Sequence, residues 1–166
     1  MFKKIVQEIR ASFYAYPGAN VADLDTARLN GVPSVLLQFY KECDGCFIGS
    51  GEEVAAPDGK TYQLRISRLS EIQTTQKYGY VEKDAPLYDM TNLWWQVIEI
   101  GDANWLAFDA SKEGFGRIID VPHEEVGYEE CHAVIAETFM ELLQQLIKYD
   151  GQDWFGIDEW QEIDRV

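Results

Sequence analysis

The chain has 166 residues, 46% hydrophobic and 13% aromatic, which is enough apolar surface for one folded domain and too much for a disordered chain. Its formal net charge of -15 sets the surface against nucleic acid and anionic lipid, and either favours a basic protein partner or serves solubility alone. No run approaches the roughly 20 apolar residues of a membrane helix, the start MFKKIVQEIR is not a signal-peptide core, and three cysteines make no disulfide framework, so a soluble, cytoplasmic protein is expected.

Phe2, Ile5, Val6 and Ile9 recur at helical spacing and predict an amphipathic helix over residues 2–11. Pro17-Gly18 marks a loop over 14–20. Asp23 is the expected cap of a short helix over 24–29, which Asn30-Gly31 stops. Pro33 suits the first turn of the next helix, with Val35, Leu36, Phe39 and Tyr40 as its buried stripe and Asp44-Gly45 as its end. Residues 46–48 read as a brief strand before the loop GSGEEVAAPDGK. Tyr62, Leu64 and Ile66 alternate with Gln63 and Arg65, the pattern of a half-exposed strand. Ser70 and Glu71 open a predicted short helix reaching Lys77, and 79–92, with Pro86, is connection.

Residues 92–121 are the expected centre of the fold. Strands are predicted over 94–100, 105–109 and 116–121, and the gaps between them are too short for crossover helices, so antiparallel hairpins follow. Apolar groups on both faces of the middle strand require cover from the helices. Trp94 and Trp95 point to opposite faces; both are core, or one is an exposed anchor for a partner. Residues 122–130 read as an irregular acidic loop. Val134, Ile135, Thr138, Phe139, Leu142, Leu143, Leu146 and Ile147 predict a closing helix over 133–149, packed on the sheet through Phe139, Leu142 and Leu146. The tail carries Trp154, Phe155, Ile157, Trp160 and Ile163, which fold back or dock on another molecule. The expected architecture is a single α+β domain over 1–150 with a twisted, largely antiparallel central sheet flanked by N-terminal and C-terminal helices, plus a Trp-rich acidic tail over 151–166.

Four pieces occur in a telling order. They are Gly31-Val32-Pro33 with the helix through Leu36, Phe39 and Tyr40 and the turn Asp44-Gly45; Leu69-Ser70-Glu71-Ile72; Gly101-Asp102 with Asn104-Trp105-Leu106-Ala107-Phe108-Asp109; and Ile135-Ala136-Glu137-Thr138-Phe139 continuing to Leu142-Leu143. In order and spacing they resemble the SUKH superfamily, which includes the yeast cell-wall synthesis regulator and many bacterial immunity proteins that neutralise polymorphic toxins. Val32 stands where the superfamily usually has leucine and Asp44 where it has asparagine, and the tail has no counterpart. The resemblance implies a non-catalytic protein-binding module, in many bacterial members one that blocks a toxin, often a nuclease. The alternative it implies is a regulatory scaffold like the yeast relative.

Chemistry finds little support. Cys43 and Cys46 form a C-x-x-C pair that Cys131-His132 would have to complete as a zinc site, but two neighbouring side chains rarely converge on one ion. Cys43 continues the buried face of its helix, so core packing is the reading and neither metal nor cofactor is expected. A thioredoxin-like role needs the motif to open a helix, and here it closes one. Asp89, Glu99, Asp102, Asp109, Glu124 and Glu125 are acids without a marked pair; a hydrolase would draw on Asp102 and Asp109, whose plainer roles are turn and strand end. His132 is placed as a capping-region residue before the closing helix. No serine elbow, phosphate loop, zincin motif or dinucleotide fingerprint is present, so no enzyme is expected.

The charge locates a partner surface. Residues 120–166 hold 13 acidic and 2 basic side chains, a net of -11, against 16 and 12, a net of -4, in residues 1–119. The expected surface is Glu124, Glu125, Tyr128, Glu129 and Glu130, continuing to Asp153 and Trp154, and its partner is a basic protein such as a polymorphic toxin domain, neither nucleic acid nor membrane. The plainer reading has Trp154, Phe155 and Trp160 sealing the core or a homodimer, with the carboxylates merely solvated.

Overall fold

The structure is a computed structural model and describes residues 1–78, 81–100, 104–152 and 154–166. Asp102, with its Gly101-Asp102 turn, and Asp153 lie outside the described residues. The fold is α+β and largely antiparallel, as the sequence predicts. Its contacts group into two compact units, residues 1–72 with 143–152, and residues 73–142 with 154–166. No described helix is long and apolar enough to cross a membrane.

In the first unit, α1 (Lys3–Ser12) buries Ile5, Val6 and Ile9. The next helix, α2 (Val21–Leu29), starts three residues earlier than predicted because Asn20, not Asp23, caps it, accepting the Asp23 N–H at 2.9 Å. Pro33 precedes α3 (Ser34–Glu42), which buries Leu36, Leu37, Phe39 and Tyr40. The Asp44 carboxylate then pins the turn, accepting the Leu69 N–H at 2.9 Å and the Arg68 guanidinium at 2.8 and 3.1 Å. The expected brief strand runs on through more than half of the expected loop as β1 (Cys46–Ala55), antiparallel to β2 (Thr61–Ile66), and only residues 56–60 remain as the connection. Ser50 and Val54 both face Tyr62, so the Gly/Glu-rich segment is an irregularity carried within a strand, where continued pairing overrides its poor intrinsic propensity.

The helix predicted from Ser70 to Lys77 does not form. Glu71 folds back to accept the Arg68 N–H at 2.9 Å, and the chain continues as the short strand β3 (Gln73–Thr74) and a 3-10 turn.

In the second unit, β4 (Trp94–Ile100), β5 (Asn104–Asp109), β6 (Ile118–Val121), β7 (Ala133–Ala136) and β8 (Asp164–Arg165) lie side by side in that order, each antiparallel to its neighbour, and β3 pairs with β4. Trp94 and Trp95 are both buried; Trp94 joins Ala107, Ile119, Val121 and Val126 in one core cluster. The predicted closing helix is shorter than its pattern. Residues 133–136 are β7, and α4 spans Phe139–Lys148. Ala-Val-Ile-Ala suits a buried strand as well as a helix, and the start is decided by a capping box: Thr138 Oγ1 accepts the Glu141 N–H at 3.1 Å while the Glu141 carboxylate accepts the Glu137 N–H at 2.9 Å. Phe139, Leu142 and Leu146 are buried.

Candidate protein-binding surface

Past β6 the chain makes two successive turns, closed by hydrogen bonds from Glu125 N–H to the Pro122 carbonyl and from Tyr128 N–H to the Glu125 carbonyl, both 3.2 Å. Val126, between them, is the apolar pin that enters the core cluster. Gly127 follows with φ +89, and a Cβ there would stand 3.0 Å from the Ala85 methyl and 3.2 Å from Val81. Its N–H donates to His132 Nε2 at 3.2 Å, and its carbonyl accepts the Leu87 N–H at 2.8 Å. At the start of the loop, His123 N–H donates to Asn104 Oδ1 at 3.0 Å. The loop is therefore fixed at both ends by its backbone, and its acids are left facing water.

Glu124, Glu125, Glu129 and Glu130 are all exposed. Tyr128 is 40% exposed, and its hydroxyl donates to Glu82 at 2.7 Å. That bond, with the nearby carboxylate charge, raises the Tyr128 pKa and keeps the phenol neutral. Five of the expected surface residues thus share one loop, presenting carboxylates around a fixed aromatic ring, an arrangement that attracts cationic groups and offers contact area.

The tail joins the same unit. His132 and Val166 exchange backbone hydrogen bonds of 3.2 and 2.9 Å, and β8 pairs Ala133 with Arg165. Arg165 is held inside this region, donating to the Glu130 carbonyl at 3.1 Å and to both Glu162 oxygens. Trp160 is buried with its N–H on the Ile135 carbonyl at 2.8 Å. Trp154 is half-buried and donates to Asp120 on β6 at 2.8 Å, just upstream of the acidic loop. Phe155 meets the Trp154 ring edge-to-face at 5.7 Å and is 68% exposed. Phe155, a sealing residue in the plainer reading, is exposed rather than in the core, and so is Ile163 of the tail. In an irregular segment no period separates outward from inward side chains.

Asp109 and His132 serve structure. Asp109 has no exposed surface: its carboxylate accepts the Ser111 N–H at 2.8 Å and faces Arg117 at 3.5 Å, and Arg117 reaches Asp164 of the tail at 3.5 Å. A carboxylate so enclosed holds the loop after β5 and is out of a substrate's reach. His132 is not a cap in front of a helix; it precedes β7, fully buried, with its ring edge-to-face with Trp94 at 5.0 Å. Burial lowers its pKa to about 4, which the nearby Asp120 carbonyl opposes only in part. Cys43 and Cys46 are buried, Cys131 half-buried. No group of three or more metal-binding side chains is assembled among the described residues.

The sequence model of the SMI1 / KNR4 family (SUKH-1) matches residues 27–145. The chain is also 21% identical over 157 residues to "Immunity protein YokJ" of Bacillus subtilis (strain 168), a likeness covering 95% of this chain and 87% of that protein.

Proposed function

The chain belongs to the SMI1 / KNR4 family (SUKH-1), and from that premise we infer an immunity-type protein that acts by binding a cognate toxin rather than by catalysis. The observation that carries this reading is the likeness to an immunity protein along nearly the whole chain. The toxin is taken to be basic and of nuclease type, bound in the cytoplasm through Glu124, Glu125, Tyr128, Glu129 and Glu130, with Trp154 and Asp153 extending the surface. A nuclease grips phosphates with cationic side chains, so exposed carboxylates compete for the groups that bind its substrate. Carboxylates supply encounter rate and discrimination; Tyr128 and Phe155, both exposed, supply buried area.

The test is protection. A toxin domain encoded beside this gene, expressed in a susceptible host, should stop growth alone and be tolerated when this chain is co-expressed. Full toxicity in the presence of soluble, folded chain would sink the reading.

A further inference from the structure

Cys43 and Cys46 are the chemically reactive pair that the proposed function leaves unused. Cys43 follows the last turn of α3, its N–H still bonded to the Phe39 carbonyl at 2.9 Å, and Cys46 is the first residue of β1, in register with Ile66. Two fixed elements therefore hold the two ends of a bend only four residues long. Both side chains have zero exposure, and the Cys43 thiol lies 3.1 Å from the Gly45 carbonyl, folded in across the turn. The two cysteines thus stand at the two ends of one tight bend, with the Cys43 thiol turned inward.

Residues 14–17 cover the pair by backbone contacts. Tyr16 N–H donates to the Gly45 carbonyl at 3.0 Å, Asp44 N–H to the Pro17 carbonyl at 2.8 Å, and Phe47 N–H to the Tyr14 carbonyl at 2.8 Å. This segment bridges Cys46 through Ala15 but is only half-buried, with Pro17 exposed, so it opens more readily than a core strand. We propose that Cys43 and Cys46 form a reversible dithiol–disulfide site, oxidised by a small disulfide such as oxidised glutathione when the 14–17 cover opens.

The steps balance. Cys43 thiolate attacks one sulfur of oxidised glutathione, forming a mixed disulfide and releasing one glutathione thiolate, which takes up the proton lost from Cys43. Cys46 then loses its proton, attacks Cys43 Sγ, closes the 43–46 disulfide and expels the second glutathione. The protein is oxidised by two electrons and one oxidised glutathione becomes two reduced ones. The order follows from the environment: the neighbouring Cys46 and the Arg10 guanidinium lower the Cys43 pKa against burial, whereas burial above all raises Cys46. The ring closed is too small to remove much chain entropy, so the bond marks the redox state without locking the fold.

The experiment incubates folded Cys131→Ser protein with oxidised glutathione and reads intact mass and differential alkylation. Expected are a product lighter by two hydrogens, no retained glutathione, a 43–46 cross-linked peptide, and full reversal by dithiothreitol. Adding Cys46→Ser should instead trap a glutathione adduct on Cys43. The proposal is overturned if both thiols of the folded protein stay reduced while Cys131 of the unmutated protein is glutathionylated, if the bond forms only in urea, or if Cys43 of the Cys131→Ser protein keeps its glutathione.

Discussion

Acidification should destabilise this protein through one side chain, His132. His132 is wholly enclosed, edge-on to Trp94, with Nε2 accepting the Gly127 N–H at 3.2 Å. Protonation would place a charge in apolar surroundings and set a second donor against that N–H. In the folded protein the group therefore titrates at about 4, below its ordinary 6.5. Between those values the unfolded chain binds a proton that the native state refuses, so stability rises with pH across the window and falls as pH drops through it. A displacement of this size amounts to about 3 kcal/mol once pH is below both values, and about 2 kcal/mol of it is lost between about pH 7 and about pH 5. Urea unfolding at those two pH values checks it, with His132→Gln as reference, since glutamine can still accept from Gly127 but does not titrate. The carboxylates act alike in both proteins, so the wild type should lose about 2 kcal/mol more than the variant. Equal pH dependence, within about 0.5 kcal/mol, would refute the placement of His132 in the core.

Three further perturbations test the packing. Arg117→Met leaves Asp109 buried without its cation and should cost about 3 kcal/mol in chemical denaturation, with Asp109→Asn in the same chain recovering part of the loss; no recovery would mean the pair is not coupled. Gly49 has φ +85, and a Cβ there would fall on the Asp150 carbonyl, so Gly49→Ala should cost more than about 2 kcal/mol, read as a lowered melting temperature; an unchanged melting temperature would contradict that close approach. Trp160→Ala should cost about 3–5 kcal/mol, since the ring is buried and its N–H is bonded to Ile135, and a surface-like loss below about 0.5 kcal/mol would show that the tail is not seated there.

The parts of the fold legible in the sequence are those where one local signal decides the outcome. The hairpins of β4, β5 and β6 are short β-branched and aromatic runs with turns between them, and no other structure fits the gaps. The start of α4 was not legible from periodicity, because Val134 and Ile135 suit strand and helix alike; the Thr138 and Glu141 capping pair was the available signal. The length of β1 depended on its partner strand, and His132 on a sheet edge completed by residues more than thirty positions downstream. For the candidate surface, the acid-rich loop was evident from charge and lack of period, while its pins at Val126 and Gly127 and the exposure of Phe155 are tertiary properties.

The central claim is that the acidic loop carries binding of a basic toxin, and titration calorimetry between this chain and a toxin domain against which it protects tests that most directly. The comparison is with Glu124, Glu125, Glu129 and Glu130 all changed to lysine, first shown by circular dichroism to be folded. These side chains are exposed, so folding should survive. The account predicts affinity weakened at least about a hundredfold, with the salt dependence of the remaining binding reduced or reversed. A folded variant that binds the toxin with unchanged affinity and unchanged salt dependence would contradict it.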